Sequence, residues 1–175
     1  MLMKILETKR LILRRLEPND LDDLSVIYND REVRRYFPDG IKNYEETREE
    51  LEWFQNGHSR YPELGLWATI YKATNLFIGR CGLLPWEIDG VTEVEVAYLL
   101  AKEYWGQGLG TEAAQGILDY GFENLNLSRM ICLIVKENSA SINVAEKIGM
   151  RFEKEWQYET TPLLLYAKNR IPATE

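Results

Sequence analysis

The sequence predicts an α/β fold built on a mixed central sheet of about seven strands, with helices on both faces. Three observations support this. Stretches with strand alternation and stretches with helical spacing interleave along the chain. A hairpin signal, residues 66–72 and 76–84 around Ala73-Thr74-Asn75, sits mid-chain. A glycine-rich connector then joins a strand to a helix, and the near-continuous apolar run 130–135 follows as a buried strand.

Residues 10–16 form the first strand. Pro18 and Asp20 open a helix running to about residue 29, and Asp30 is placed to cap a short helix ending near Tyr36. Pro38-Asp39-Gly40 is a turn signal. Asn43 and Glu46 have capping-box spacing, and the helix they open runs to about residue 56, with apolar Leu51 and Phe54 three apart. Residues 57–65 form a loop. After the hairpin and the turn Asp89-Gly90, residues 91–100 form another strand. Glu93, Glu95 and Ala97 share one of its faces, and Val94, Val96 and Tyr98 the other. A helix over about 109–125 carries the stripe Ala114, Ile117, Leu118, Gly121, Phe122 and Leu125. A shorter helix, 138–148, turns Ile142, Ala145 and Ile148 inward, and Gly149 is placed to end it. Two last strands, 151–158 and 163–168, join through Thr160-Thr161-Pro162.

The 175 residues fit one domain, residues 1–175, large enough to bury a core without staples. A net charge of -7 argues against a nucleic-acid partner, whose affinity would come from Lys and Arg neutralising phosphates. It suits cationic acceptors such as amines. Cys81 and Cys132 lie far apart in apolar runs and read as buried free thiols. His58 is the single histidine and no Cys/His spacing suggests zinc, so no metal is expected. No secretion signal and no bilayer-length apolar stretch is visible, so a cytoplasmic location without a membrane partner is expected.

Gly106, Gly108 and Gly110 alternate where a strand meets a helix. Absent side chains let a phosphate approach the backbone, and the amides of the helix's first turn, with its dipole, can hold the anion. Thr111 adds a hydroxyl. No Gly-Lys-Ser/Thr follows, which disfavours a nucleoside-triphosphate loop. The run from Gly108 to Ala113 does satisfy a loose dinucleotide pattern, and Glu137 ends the next strand. A dinucleotide therefore competes on the residues alone, although that fingerprint usually follows the first strand of a repeating unit.

Several motifs in order carry a resemblance over about residues 8–169. They are Glu7-Thr8-Lys9-Arg10-Leu11-Ile12-Leu13-Arg14, Glu95-Val96-Ala97-Tyr98-Leu99-Leu100 and the segment from Tyr104 to Ala113. Asn138-Ser139-Ala140-Ser141-Ile142 and the segment from Glu146 to Phe152 complete the set. In these the chain resembles the GNAT superfamily of acetyl-CoA-dependent N-acetyltransferases, within it the RimJ/RimL-like branch. The resemblance implies a GNAT-like fold, with acetyl-CoA or coenzyme A as co-substrate. It implies that Gly106, Gln107, Gly108, Leu109, Gly110 and Thr111 hold the pyrophosphate. Tyr98, Leu99 and Leu100 would pair through their backbone with the pantetheine arm, and Asn138 would contact that arm or the acyl group. Asn143 and Lys147 are weaker cofactor candidates. Two positions depart from the wider superfamily: Trp105 replaces a Gln or Arg at the head of the loop, and Ala145 stands where many members carry a tyrosine acid.

The chemistry is attack of a neutral amine on a thioester. An α-amine titrates at about 7.7–8.0 and a lysine at about 10.4, so a base or a water chain must take a proton. Glu95 is the first candidate and Glu93, on the same face, the second. Ser141, one turn into its helix, is the candidate to protonate the departing thiolate. The expected acceptor is a protein N-terminal amine, ribosomal-protein type, or a small-molecule amine. Its surface would come from the early helices and loop 57–65, with Trp53, Phe54, Tyr61, Trp67 and Trp86 as aromatic candidates. The chain would act as monomer or homodimer. A dinucleotide-dependent oxidoreductase and a non-catalytic coenzyme A-binding module are the alternatives. Gly108→Glu adds bulk and like charge at the loop, and is expected to abolish coenzyme A binding by calorimetry; retained affinity in a folded variant would refute the loop's role.

Overall fold

The structure is a computed structural model that describes residues 3–172. The chain runs β1 (Lys4–Glu7), β2 (Leu11–Arg15), α1 (Leu21–Tyr28), α2 (Tyr44–Gln55), β3 (Gly65–Tyr71), β4 (Leu76–Ile88) and β5 (Val91–Leu100). It continues α3 (Leu109–Glu123), β6 (Arg129–Val135), α4 (Ser139–Lys147), β7 (Arg151–Tyr158) and β8 (Thr161–Asn169). The strands form one eight-stranded sheet in the order β1-β2-β3-β4-β5-β6-β8-β7. Only β5 and β6 pair in parallel; every other neighbouring pair is antiparallel.

Three sequence expectations need correction. β1 raises the strand count to eight. It is four residues long and half exposed, so it carries no clear alternation. The expected helix after Asp30 is a run of turns. Asp30 does accept from the amides of Glu32 (2.8 Å) and Val33 (3.3 Å). The helix does not propagate because the segment folds back to satisfy buried Arg34. Its Nε donates to the Gly40 carbonyl at 2.8 Å and its Nη2 to Asp39 at 2.6 Å, and its guanidinium stacks on Tyr28 and Phe37. β4 also continues past residue 84, through Pro85, to Ile88. β3 stops pairing at Gly65↔Leu83, so the side of β4 that Pro85 presents has no strand needing its missing N–H.

Alternation sorts side chains onto two faces. On one, α3 and α4 pack Leu109, Ala113, Ala114, Ile117, Leu118 and Ala145 against Ile78, Val96, Met130, Cys132 and Ile134. On the other, α1 and α2 pack Leu24, Ile27, Tyr28, Leu51 and Phe54 against Leu66, Ala68, Ala97 and Leu99. A smaller cluster of Ile88, Ile131 and Leu165, with Trp86, Leu133 and Trp156 against it, lies on this second face. Its strand residues alternate with those of the first cluster, and no helix residue belongs to it.

β4 and β5 lie close all along their length, and Gly79 permits this at the far end. A Cβ there would stand 2.1 Å from the Leu99 carbonyl oxygen and 2.9 Å from the Leu100 Cα. Gly79→Ala is therefore expected to push β5 off β4 and to cost about 1–3 kcal/mol in denaturant unfolding; an unchanged midpoint would show that the strands have slack.

Candidate active site

The site is built on β5 and its alternation. The Ala101 amide donates to the Ile78 carbonyl at 2.8 Å, so the backbone groups of odd-numbered β5 residues face β4. Even-numbered ones face β6. Among them, the Val96 carbonyl accepts from the Cys132 thiol at 3.4 Å, and the Leu100 carbonyl accepts from the Trp105 indole Nε1 at 2.9 Å. Between these, the Tyr98 amide and carbonyl face a gap. The two parallel strands register only at Glu95↔Ile131 and then diverge. Of the trio expected to pair with a ligand's arm, Tyr98 leaves both backbone groups open. Leu99 spends its own on β4, which corrects that part of the expectation. The Trp105 contact gives a reason for the unusual residue at the head of the loop: it occupies the last outward carbonyl of the strand.

The loop follows at once. Gly106 and Gly108 have φ of 72° and 76°, a region that side-chain-bearing residues rarely adopt. A Cβ on Gly106 or Gly110 would meet nothing within 4 Å, so these glycines keep open space clear rather than a packed contact. Asn43 caps α2 and Asn138 caps α4, but no side chain caps α3. Its first amides therefore point their partial positive charge into that space. A pyrophosphate fits this arrangement. Gln107 donates its side-chain amide to the Glu103 carbonyl at 3.0 Å.

Sequence reasoning missed the brace beneath the loop. Glu112 accepts from Thr8 Oγ1 at 2.7 Å, from the Arg10 amide at 2.7 Å and from Arg10 Nε at 2.6 Å. Burial acts to raise the Glu112 pKa, but these bonds prevail and hold it below the ordinary value. Arg10 also donates to the Gln107 carbonyl at 2.9 Å. The turn between β1 and β2 thus fixes the loop and neutralises the one carboxylate in the first turn of α3.

Glu95 sits on the α1/α2 face, at the seam between the helix-covered cluster and the smaller one. Burial pushes its pKa up to about 7, although bonds from Trp86 and from the Leu133 backbone, and the charge of Arg80, pull the other way. Trp86 Nε1 donates to Glu95 Oε2 at 2.6 Å. Glu93 is placed differently. Arg129 Nε donates to both its oxygens at 3.1 Å, and the same guanidinium holds Glu153 at 2.8 Å. That ion pair leaves Glu93 committed to joining strand ends, away from proton transfer.

Ser141 lies across the gap on the α3/α4 face. Its Oγ is 2.9 Å from the Tyr98 hydroxyl, which also donates to the Ser141 carbonyl at 3.0 Å. The Tyr98 hydroxyl is the group sequence reasoning missed here. Burial, chiefly, holds its pKa well above the ordinary value, so it stays a neutral donor. Asn138 caps α4 by accepting from the Ser141 amide at 3.2 Å. Ala145 is fully buried, while Asn143 and Lys147 are exposed on α4. Of the aromatic candidates, Trp86 alone touches Glu95. Trp67 and Phe54 are core, Trp53 is exposed, and Tyr61 packs near His58. Cavities of about 500 and 320 Å³ lie elsewhere, one along the outer side of α3 and one around Tyr61, Pro85 and Leu125. Among the described residues no group of three His, Cys, Asp or Glu side chains is placed to hold a metal ion. No described helix is long and apolar enough to cross a membrane.

The whole chain, and not the site alone, can be compared with known proteins. Residues 10–151 match the acetyltransferase (GNAT) domain family. The chain belongs to this family. It is an acetyl-CoA-dependent N-acetyltransferase. It is 38% identical to YkkB, an uncharacterized protein of Bacillus subtilis (strain 168), over 93% of this chain and 94% of that one. It is 29% identical to the spermidine N(1)-acetyltransferase of Escherichia coli (strain K12), over 84% of this chain and 76% of that one. A GNAT-family acetyltransferase structure from Bacillus anthracis superposes with a TM-score of 0.81 at 26% identity, covering 97% of this chain and 98% of the other. The apo structure of RimL, a ribosomal L7/L12 alpha-N-protein acetyltransferase, superposes at 0.78 with 18% identity, covering 97% and 96%, a likeness of fold. The dinucleotide reading of the loop falls with this assignment. β5-α3-β6 is the sole parallel crossover of the described sheet, and no repeating strand-helix unit surrounds it.

A carboxyl raised from 4.5 to about 7 binds its proton more tightly folded than unfolded. The stability it contributes is full below about pH 4.5 and is lost as pH rises to about 7. Glu95→Gln cannot ionise, so it is expected to melt near the wild type at about pH 4.5 and above it at about pH 8. Parallel melting curves across that range would contradict the raised pKa.

Proposed function

We propose that the chain acetylates a primary amine by direct attack in a ternary complex, with Glu95 as general base. The observation that carries this is the placement of the Glu95 carboxyl, bonded by Trp86 Nε1 at 2.6 Å at the point where β5 leaves β6, where burial pushes its pKa up to about 7. Bound acetyl-CoA would supply a thioester carbonyl as the electrophile. The amides of Leu109, Gly110 and Thr111 would hold its pyrophosphate, and the open Tyr98 amide and carbonyl its pantetheine arm. Glu95 Oε1 or Oε2 takes the ammonium proton from the α1/α2 side. Ser141 Oγ and the Tyr98 hydroxyl, 2.9 Å apart on the α3/α4 side, offer a proton to the departing sulfur. The base and the acid then flank the gap from opposite faces, so neither must cross the other.

For the acceptor, a protein or peptide N-terminal amine matches the base best. A carboxylate near 7 exchanges a proton almost evenly with an α-ammonium at about 7.7–8.0, whereas an alkyl ammonium at about 10.4 lies some three units uphill. The relatives include both a spermidine and a ribosomal-protein enzyme. A thiol-release screen of N-terminal peptides, polyamines, amino acids and aminoglycosides separates these acceptors, with peptides expected to turn over fastest. Turnover confined to polyamines would overturn the assignment.

Glu95→Gln is expected to lower kcat about a hundredfold and to remove the acidic limb of the pH–rate profile, with coenzyme A affinity unchanged by calorimetry. Unchanged turnover at saturating substrates across a pH series would sink the base assignment.

A further inference from the structure

Glu95 cannot hold its own orientation. It has three rotatable side-chain bonds, and it stands at the last paired position before β6 diverges. We propose that Trp86 is the positioning residue for Glu95, and that Trp156 and Tyr158 on the edge strand β7 lock the Trp86 indole in place. This rests on reading Glu95 as the base and goes beyond it, since it assigns three residues outside the proton-transfer machinery.

The geometry is specific. Trp86 lies on β4 opposite Glu93, so its ring leans along the strand toward Glu95, the diagonal neighbour on the same face. Its indole N–H, which can only donate, meets Glu95 Oε2 at 2.6 Å. The ring is then fixed edge-on by Tyr158, 5.3 Å between centroids at 86°, and by Trp156, 6.1 Å at 75°. Trp156 and Tyr158 brace each other at 5.9 Å. Three strands separate β4 from β7 in the sheet. A flat sheet would hold the two about 19 Å apart. The contact therefore requires the sheet to curl and three large side chains to reach over Leu133 and Leu165, on the half of this face that no helix covers.

Each alternative side-chain anchor is already occupied. Arg80 of β4 donates Nε to the Tyr28 hydroxyl of α1 at 2.7 Å and acts on Glu95 only through charge. Cys132 of β6 turns its thiol to the Val96 carbonyl, and Tyr98 of β5 turns its hydroxyl to Ser141. Glu93, on the same face, is held by Arg129. The Leu133 amide of β6 bonds Glu95 as well, a backbone donor on the opposite strand from Trp86. Trp86 is the side chain that aims the carboxyl.

Two measurements test this. Among the five tryptophans, the indole N–H signal that Trp86→Phe deletes from the wild-type NMR spectrum belongs to Trp86. In the wild type that signal is expected to titrate with the same midpoint as the acidic limb of kcat/KM, and to stop titrating in Glu95→Gln. In Trp86→Phe, which keeps a ring in the cluster, the acidic limb is expected to move up by about one pH unit, since a bond favouring the ionised form is lost. Its kcat is expected to fall about tenfold, with acceptor KM and coenzyme A affinity little changed. Trp156→Leu should move the limb the same way by less. A purely structural role would lower the melting temperature and leave the limb and the indole titration where they were. If Glu95→Gln removes the limb while Trp86→Phe leaves it in place, the positioning role alone is wrong. If Glu95→Gln keeps the limb, the base assignment fails first. Should Trp86→Phe not fold, the indole signal that titrates in the wild type and stops titrating in Glu95→Gln is followed instead, and it decides together with the limb of Trp156→Leu.

Discussion

β5 and β6 share a single point of parallel register, Glu95↔Ile131, and the rest of the site depends on their divergence beyond it. A ladder that continued would close the space between the strands and consume the Tyr98 amide and carbonyl. Because it stops, a gap opens with a carboxyl on one face and two hydroxyls on the other. The glycine loop stands at the end of that gap because β5 runs into it within six residues. One broken pairing thereby aligns the glycine loop, the open backbone, the Glu95 carboxyl and the two hydroxyls along a single strand.

An open strand edge inside a protein leaves polar groups that need partners. Here the neighbours are individually matched. The Cys132 thiol takes the Val96 carbonyl and the Trp105 indole takes that of Leu100, which brackets Tyr98 as the free position. The brace from Thr8 and Arg10 to Glu112 fixes the loop from the opposite end of the chain. The Trp86, Trp156 and Tyr158 cluster fixes Glu95 from the far edge of the sheet. The second face carries Glu95. Helices cover part of it, and the remainder is walled by aromatic side chains beside the base.

Much of this was legible before any coordinates. The alternation of Glu93 to Tyr98 placed Glu95 and Val96 on opposite faces, as found. The capping box at Asn43 and Glu46 and the left-handed stop at Gly149 were local signals read correctly, because each is set by residues a few positions apart. Where local signals misled, a distant partner had prevailed. Asp30 began a cap, yet burial of Arg34 bent the segment away from a helix. Pro85 looked like a strand end, yet the side it presents lost its neighbour at Gly65. Glu93 looked equivalent to Glu95 by alternation, yet only Glu93 meets Arg129.

The sequence by itself determined the family, and it marked out the glycine loop and the strand that carries Glu95, since all three rest on contiguous residue types with short-range geometry. The tertiary structure decided which groups in those motifs are free to act. The backbone of Tyr98 is open and that of Leu99 is spent because of pairing with β4. Burial in the folded sheet pushes the Glu95 pKa up to about 7. Trp86 reaches it supported by residues some seventy positions away, brought there by the curl of the sheet. Such properties belong to pairs that only folding brings together, and no spacing along the chain encodes them.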